Sequence, residues 1–302
     1  MTGAIGRRAC RSHLFVPGNN ERLLGKVFGA GADAAVIDLE DAVPAEAKAE
    51  ARRMAAAAVA TRAGLAGPRV GVRINGVDSA WWREDLAAVV GPGLDVIRVP
   101  KAESAEQFRL VDQMLHELEV ARHVTAGSIG VVATIESAAG VLASADIARA
   151  PRVEAFTFGA ADFVRDIGAD TSSTDVATLY ARQHLVLTSR AAGLQPPVAS
   201  VYTQVKDLDG LRRTSDEARA LGFFGRSCIH PSQVAIVNQV FTPSGTQVDT
   251  ARRMLAAWDD AMAKGRAAFT MEDGQFVDEA VVGRARAVVA MAEALGGDSN
   301  HG

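Results

Sequence analysis

Three acids close the apolar run in AAVIDLEDAV. Asp38, Glu40 and Asp41 stand at or just past the end of Ala34–Ile37 and Leu39. A sheet interior does not accept that much charge without compensation, so this segment predicts a strand whose C-terminal end carries chemistry. Two more carboxylates follow apolar runs in the same way, Glu136 in ATIES and Asp162 in FGAADF. Two carboxylates facing one another in a half-buried cleft repel, and one takes a proton unless a cation lies between them. Oxygen ligands, few in number and with open positions beside them, suit Mg²⁺. The structural alternative for either acid is an N-cap or first-turn position in the helix that follows. Its recurrence after two neighbouring strands favours a shared ion. Arg73, in VRINGVDS, places a guanidinium fork at another strand end, where it suits bidentate binding of a carboxylate. A salt bridge to Glu40 or Asp41 is the structural alternative, and one arginine has donors enough for both roles.

These groups need a scaffold that brings several strand ends together. Apolar, β-rich runs recur at 12–16, 34–39, 70–74, 95–99, 129–135, 155–158, 197–201 and 224–229, separated by helix-like stretches such as 44–64, 104–123 and 174–193. Alternating strands and helices imply parallel strands joined by crossovers, and strands apolar on both sides imply cover on both faces. Eight such strands predict an α/β fold of the (β/α)8 TIM barrel type, with an open doubly wound sheet as the competing arrangement. In such a barrel the strand C-terminal ends carry the site. Reading those ends gives Pro17-Gly18, Glu40-Asp41, Arg73 with Asn75, Pro100-Lys101, Glu136, Gly159 with Asp162, and His230-Pro231. The small loops at PG and GAAD leave room for a substrate near the backbone, and the small residues after Glu136 offer helix N-terminal N–H groups to a carboxylate.

FTPSG interrupts the pattern, so residues 1–240 are expected to form the barrel and 241–302 a helical C-terminal extension. The extension has two helical patterns flanking the turn-rich AAFTMEDGQF, with GGDSNHG as an unstructured end. No fixed-period repeat is present.

The bulk numbers exclude several classes. A net charge of −4 with no basic stripe argues against nucleic acid. The absence of an 18-residue apolar run argues against a membrane span, and no apolar h-region marks a signal peptide. Two cysteines, Cys10 and Cys228, without a CxxC pair make neither a disulfide framework nor a zinc site, and imply reduced thiols in a cytoplasmic protein. His13, His116, His123, His184 and His301 show no paired metal spacing. His230 reads as a hydrogen-bonded loop anchor, with proton shuttling as the alternative. Trp81 and Trp82 read as packing of the third helix.

Taken together and in order, RSHLFVPG, VIDLEDAVPAEAKAEAR, VRINGVDS, ATIESAAGV, FGAADF and GRSCIHPSQVAIVNQVFTPS make the chain resemble the citrate lyase beta-subunit-like branch of the HpcH/HpaI aldolase family, which includes malyl-CoA and citramalyl-CoA lyases. The resemblance runs from residue 11 to about 295. It implies a (β/α)8 barrel with a C-terminal helical lid, usually in a trimer, and Mg²⁺ held by Glu136 and Asp162. It implies that Arg73 contacts the reacting oxyanion or carboxylate, and that Glu40 and Asp41 support metal-bound water and hold the arginine. It places an acid of the lid, matching Asp278, in a neighbouring subunit's site; nearby Asp273 reads as a turn residue. For CoA it points to Phe15 and Lys26 in the first βα loop beside Pro17 and Gly18. Asn20 stands where malyl-CoA lyases often carry an arginine, with Arg22 as a substitute. The segment 165–182 is shorter than its malyl-CoA lyase counterpart and closer to the citramalyl and citrate types.

The expected reaction is a Mg²⁺-dependent retro-Claisen cleavage of a 3-hydroxyacyl-CoA to acetyl-CoA and a 2-oxo acid. Arg73 stabilises the enolate oxygen, Asp278 acts as general acid or base, and the lid excludes water. The competing readings are a CoA-independent class II aldolase, a thioesterase, a citrate lyase beta subunit acting on an acyl carrier protein, and a non-catalytic barrel.

Overall fold

Val, Ile and Phe dominate the short runs between helices, and their branched or aromatic side chains suit a pleated surface covered on both faces. In the computed structural model, which describes residues 10–170, 174–272 and 274–296, these runs become seven parallel strands. They are β1 (Ser12–Pro17), β2 (Ala34–Asp38), β3 (Arg69–Arg73), β4 (Val96–Val99), β5 (Gly130–Ile135), β6 (Val153–Phe158) and β7 (Arg226–Cys228). The sheet order is β6-β5-β4-β3-β2-β1-β7, so each strand from β1 to β6 lies beside its predecessor and β7 returns to pair with β1. The crossovers run through α1 (Glu21–Val27), α2 (Lys48–Ala60), α3 (Trp82–Val89), α4 (Ala105–Ala121) and α5 (Ala138–Ile147). After β6 come α6 (Ala160–Asp166), α7 (Thr174–Ala192) and α8 (Leu208–Leu221), and β7 is followed by α9 (Pro231–Val240).

The strand expected at 197–201 is not formed as such. Pro196 and Pro197 bring no N–H to a ladder, and only two isolated parallel bridges remain, Thr157 to Val198 and Ala199 to Arg226. Even so, this short segment exchanges backbone hydrogen bonds with both edge strands. Val198 N–H reaches Phe156 O at 2.8 Å, and Ala199 N–H reaches Gly225 O at 3.0 Å. The sheet is thus a curled, seven-stranded parallel one whose two edges are bridged by a single extended stretch.

Strand alternation divides the side chains between two environments. Val131, Ala133 and Ile135 of β5 and Phe156 and Phe158 of β6 pack outward into the main core with the helices. The intervening Val132 and Ala155 join Val96 in a separate small cluster on the other face. Fully burying each such aliphatic or aromatic side chain contributes roughly 2 kcal/mol. Helix ends are set locally: Ser104 and Gln107 form a capping box on α4, and Asn20 caps α1 by accepting from Leu23 N–H.

By its internal contacts the chain divides into two units, residues 1–241 and 242–302. The second contains α10 (Gly245–Ala263), α11 (Glu279–Gly296) and a minimal antiparallel hairpin, β8 (Phe269–Thr270) with β9 (Phe276–Val277). The hairpin occupies the segment expected only to turn. Met254, Trp258, Val277 and Val282 form this unit's own core. Asp273, His301 and the chain end beyond Gly296 lie outside the described residues.

Candidate active site

The three acids after β2 have separate jobs. Register pairs Asp38 with Arg73 across β2 and β3, so their side chains stand side by side on one face. Arg73 Nε donates to Asp38 Oδ1 at 2.7 Å and Nη2 to Oδ2 at 2.6 Å, a bidentate pair. The same carboxylate accepts from the backbone N–H groups of Glu40 and Ala42, which folds the loop tightly around it. Asp38 is only 3% exposed, and these four donors are what make its burial tolerable. Glu40, equally buried, meets Arg73 Nη1 at 2.9 Å and Lys101 Nζ at 2.9 Å. Asp41 is exposed and lies 3.5 Å from Arg73 Nη1. The loop is also pinned by its carbonyls: Lys48 Nζ donates to Leu39 O and Glu40 O, and Asn75 Nδ2 donates to Leu39 O.

Charge follows from this packing. Burial would depress the Arg73 pKa, but its hydrogen bonds to Asp38 and the charges of Asp38, Glu40 and Asp41 outweigh burial and raise it. Burial raises the Glu40 pKa, opposed by Arg73 and reinforced by Asp41. The Lys101 ammonium is held charged, first of all by its hydrogen bond to Glu40.

Glu136 follows β5 directly and is 7% exposed. It does not cap the next helix; Ser137 does, accepting from Gly140 N–H. Its Oε1 accepts from the backbone N–H of Lys101 at 2.7 Å. That contact depends on an unusual backbone, since Lys101 has φ +50, a left-handed conformation that a side-chain-bearing residue adopts at a cost of about 1 kcal/mol or more. Gly159 packs against the other side of the carboxylate. A Cβ there would sit 2.6 Å from both Cβ and Oε2 of Glu136, so only glycine fits. Burial, and then the charges of Glu40 and Asp162, push the Glu136 carboxyl up to about 7. Asp162 lies in the first turn of α6, one-third exposed, and its Oδ1 pairs with Arg165 at 2.6 Å.

A cavity of about 500 Å³ joins these elements. Its wall includes Phe15, Pro17, Asp38, Asp41, Arg73, Glu136, Gly159 and Asp162, over a floor with Thr134, Thr157 and Ser227. Four carboxylates face a single guanidinium around it. Both Glu40 oxygens, just behind the wall, are fully buried, Oε2 against Arg73 Nη1 and Oε1 against Lys101 Nζ. The surplus of negative charge and the raised Glu136 carboxyl fit a divalent cation bound by oxygen. Among the described residues no group of three or more His, Cys, Asp or Glu side chains clusters in a manner able to hold a metal. Two of the lining carboxylates, Glu136 and Asp162, could hold a Mg²⁺ that keeps several waters.

Other expected positions fall elsewhere. Lys26, expected at the CoA site, is exposed in the last turn of α1 and does not line the cavity. Gly18 does not line it either; its N–H donates to Asp38 O at 2.8 Å, and a Cβ would strike Leu39 and Asp38 O. Its role is close approach to β2. Arg22 is exposed. The N–H groups after Glu136 are committed within the protein, Ala138 to Asp166 and Gly140 to Ser137. His230 anchors its loop as the N-cap of α9. Trp82 is buried in α3, while Trp81 lies under the Lys48 ammonium. In the C-terminal unit, Asp278 Oδ1 accepts from Val281 N–H at 3.0 Å, capping α11. Sequence reasoning missed Asp38 as the principal partner of Arg73 and Lys101 as the link between Glu40 and Glu136. Asp38 was signalled by its parity with Glu40 at a strand end, whereas nothing in the sequence announced the backbone of Lys101.

Known proteins resemble this chain in sequence and in fold. The chain is 35% identical over 285 residues to a (3S)-malyl-CoA thioesterase of Cereibacter sphaeroides, covering 94% of this chain and 95% of that one. The structure of CitE from Mycobacterium tuberculosis in complex with magnesium, acetoacetate and coenzyme A superposes with a TM-score of 0.77 at 31% identity, over 94% of this chain and 98% of that one. A citrate lyase beta subunit from the same organism, complexed with oxaloacetate and magnesium, gives a TM-score of 0.65 at 30% identity, over 78% of this chain and 98% of that one. The HpcH/HpaI aldolase/citrate lyase family profile matches residues 11–231, and the chain belongs to that family.

Proposed function

We propose that this chain is a Mg²⁺-dependent carbon–carbon lyase that cleaves a 3-hydroxyacyl-CoA of the citramalyl-CoA or malyl-CoA type to acetyl-CoA and a 2-oxo acid. The observation that carries the reading is the convergence of Glu136, Asp162 and Arg73 on one cavity floored by small hydroxyl side chains. Glu136 and Asp162 would hold the ion, for which Asp162 must release Arg165. Bound there, Mg²⁺ supplies Lewis acidity that lowers the pKa of a substrate hydroxyl.

The protein's own groups do the rest. Arg73 commits two of its N–H donors to Asp38 and meets Glu40 through Nη1; as a cavity-lining guanidinium with five N–H groups it would offer those left over to the oxygen of the departing enolate. Asp38 and Glu40 fix that fork, so no reorganisation is needed as charge develops. Lys101 and Gly159 fix Glu136. We extend the same reading to the architecture. The stretch at 197–199 serves as the missing stave of a (β/α)8 barrel, residues 1–240 as the catalytic domain and residues 241–302 as a lid and oligomer contact. Asp278 then acts as general acid or base in a neighbouring subunit of a homo-oligomer, a trimer or a multiple of it. Two buried cysteines, Cys10 and Cys228, accord with residence in the reducing cytoplasm.

The test is to supply Mg²⁺ with malyl-CoA or citramalyl-CoA and follow acetyl-CoA. Activity is expected with metal and lost with chelator. A second reading, hydrolysis of the thioester, is favoured by the name of the Cereibacter relative. It gives free CoA and a hydroxy acid in place of acetyl-CoA and a 2-oxo acid, so product identity decides between the two.

A further inference from the structure

The charge balance of the cavity poses a problem for an acidic ligand. Four carboxylates line the cavity, and its one lining cation, Arg73, is already shared among Asp38, Glu40 and Asp41. A buried cation with no carboxylate hydrogen-bonded to it lies one layer deeper. Arg98 on β4 is 1% exposed, and its guanidinium donates only to neutral groups. Nη1 reaches Thr157 Oγ1 at 2.8 Å and Nη2 reaches His13 Nδ1 at 2.5 Å, while Nε has no partner. Burial and the neighbouring Arg98 and Arg69 cations keep His13 neutral, so its Nδ1 is the acceptor. Glu154, whose charge acts on Arg98, is paired with Arg69. Burial lowers the Arg98 pKa to about 10, which leaves it charged at neutral pH.

Arg98 does not line the cavity; its guanidinium carbon lies 5.4 Å from the Phe15 ring centre, and that of Arg73 lies 5.6 Å from the same centre. Arg98 acts through Thr157. Strand alternation puts Thr157 one pleat above the Ala155 cluster and one below Gly159, on the cavity floor. A threonine hydroxyl has one proton. With its oxygen accepting from Arg98, that proton turns toward the cavity, polarised by the cation behind it. A second floor hydroxyl, Ser227, is 3% exposed and its Oγ has no hydrogen-bond partner among the described residues.

We infer that Thr157, backed by Arg98, is a built donor for the carboxylate of the 2-oxo acid half of the substrate, with Ser227 beside it. This rests on the lyase reading above. The assignment to that half follows from shape: a CoA thioester must trail out of the mouth, so the small acidic half occupies the bottom. Thr157 touches the ligand, and Arg98 is a positioning residue.

The experiment is calorimetric binding of pyruvate and of oxaloacetate to the full chain with saturating Mg²⁺. Thr157→Val, nearly isosteric, is expected to weaken the 2-oxo acid about tenfold or more. Mg²⁺ affinity without the acid should not move, whereas the melting temperature should fall, because the buried Arg98 loses its acceptor. Thr157→Ser should restore binding. Arg98→Met should weaken the acid in the wild-type background but add little on top of Thr157→Val, since both act through one hydrogen bond. Unchanged binding in Thr157→Val overturns the inference and leaves the lyase reading standing. A wild-type protein that binds Mg²⁺ but neither acid overturns that reading, and the inference with it.

Discussion

Replacing Glu136 by glutamine should stabilise the metal-free protein, with a pH dependence set by the cavity. In the folded chain this carboxyl titrates at about 7, because it is buried beside the Glu40 and Asp162 charges; its ordinary value is 4.5. Between those values the native state holds a proton that the unfolded chain has lost. Raising the pH through that window therefore removes stability, and the loss is complete above pH 7. The gap corresponds to roughly 3 kcal/mol at pH 8 and to less than about 1 kcal/mol at pH 5. Glutamine keeps the shape and can still accept from Lys101 N–H, but carries no charge at any pH. Urea denaturation in the presence of chelator should therefore find Glu136→Gln more stable than wild type by roughly 3 kcal/mol at pH 8, with the two close together at pH 5. Added Mg²⁺ should reverse the order at pH 8, since only the wild type gains stability by binding it. An equal difference at both pH values, or a less stable variant at pH 8, would refute the claim that Glu136 is a destabilised carboxylate waiting for a cation.

Three other substitutions probe the surroundings. Arg73→Met leaves Asp38 and Glu40 buried without their guanidinium, and should cost about 3–5 kcal/mol in denaturation experiments as well as about a hundredfold in turnover. Arg73→Lys should recover little of either, because an ammonium cannot reproduce the fork on Asp38. Gly159→Ala puts a methyl where the Glu136 side chain lies, so Mg²⁺ affinity by calorimetry should fall while the circular dichroism spectrum is retained; unaltered affinity would show that Glu136 has room to move. Asp278→Ala should lose the α11 cap, worth about 1 kcal/mol. Asp278→Asn keeps a good cap, so lost turnover with unchanged stability in that variant would isolate the proposed acid–base role.

Much of this was readable in the sequence because the periodicities are strong. Runs such as IGVVATI and AFTF are apolar on both faces and became β5 and β6, and the acids placed after them do end up around one cavity. What failed did so for identifiable reasons. PVASV has the composition of a strand, but the two prolines before Val198 leave too few donors for a ladder. The β8–β9 hairpin is only two residues deep on each side, too short for alternation to reveal. Asp38 was visible as an acid, but its partnership with Arg73 is a matter of register between β2 and β3, which composition does not encode. Arg98 reads in DVIRV as an ordinary strand arginine. Only the curl of the sheet, which turns that face inward, makes it a buried cation.

The central claim is that Glu136 and Asp162 share one divalent ion. Crystals grown with Mn²⁺ as an anomalous stand-in for Mg²⁺ test it directly. The account predicts a single peak in the cavity, about 2.1 Å from one oxygen of each carboxylate, with Asp162 swung off Arg165. A cavity without a peak, or an ion held by other side chains while Asp162 stays paired with Arg165, would contradict it.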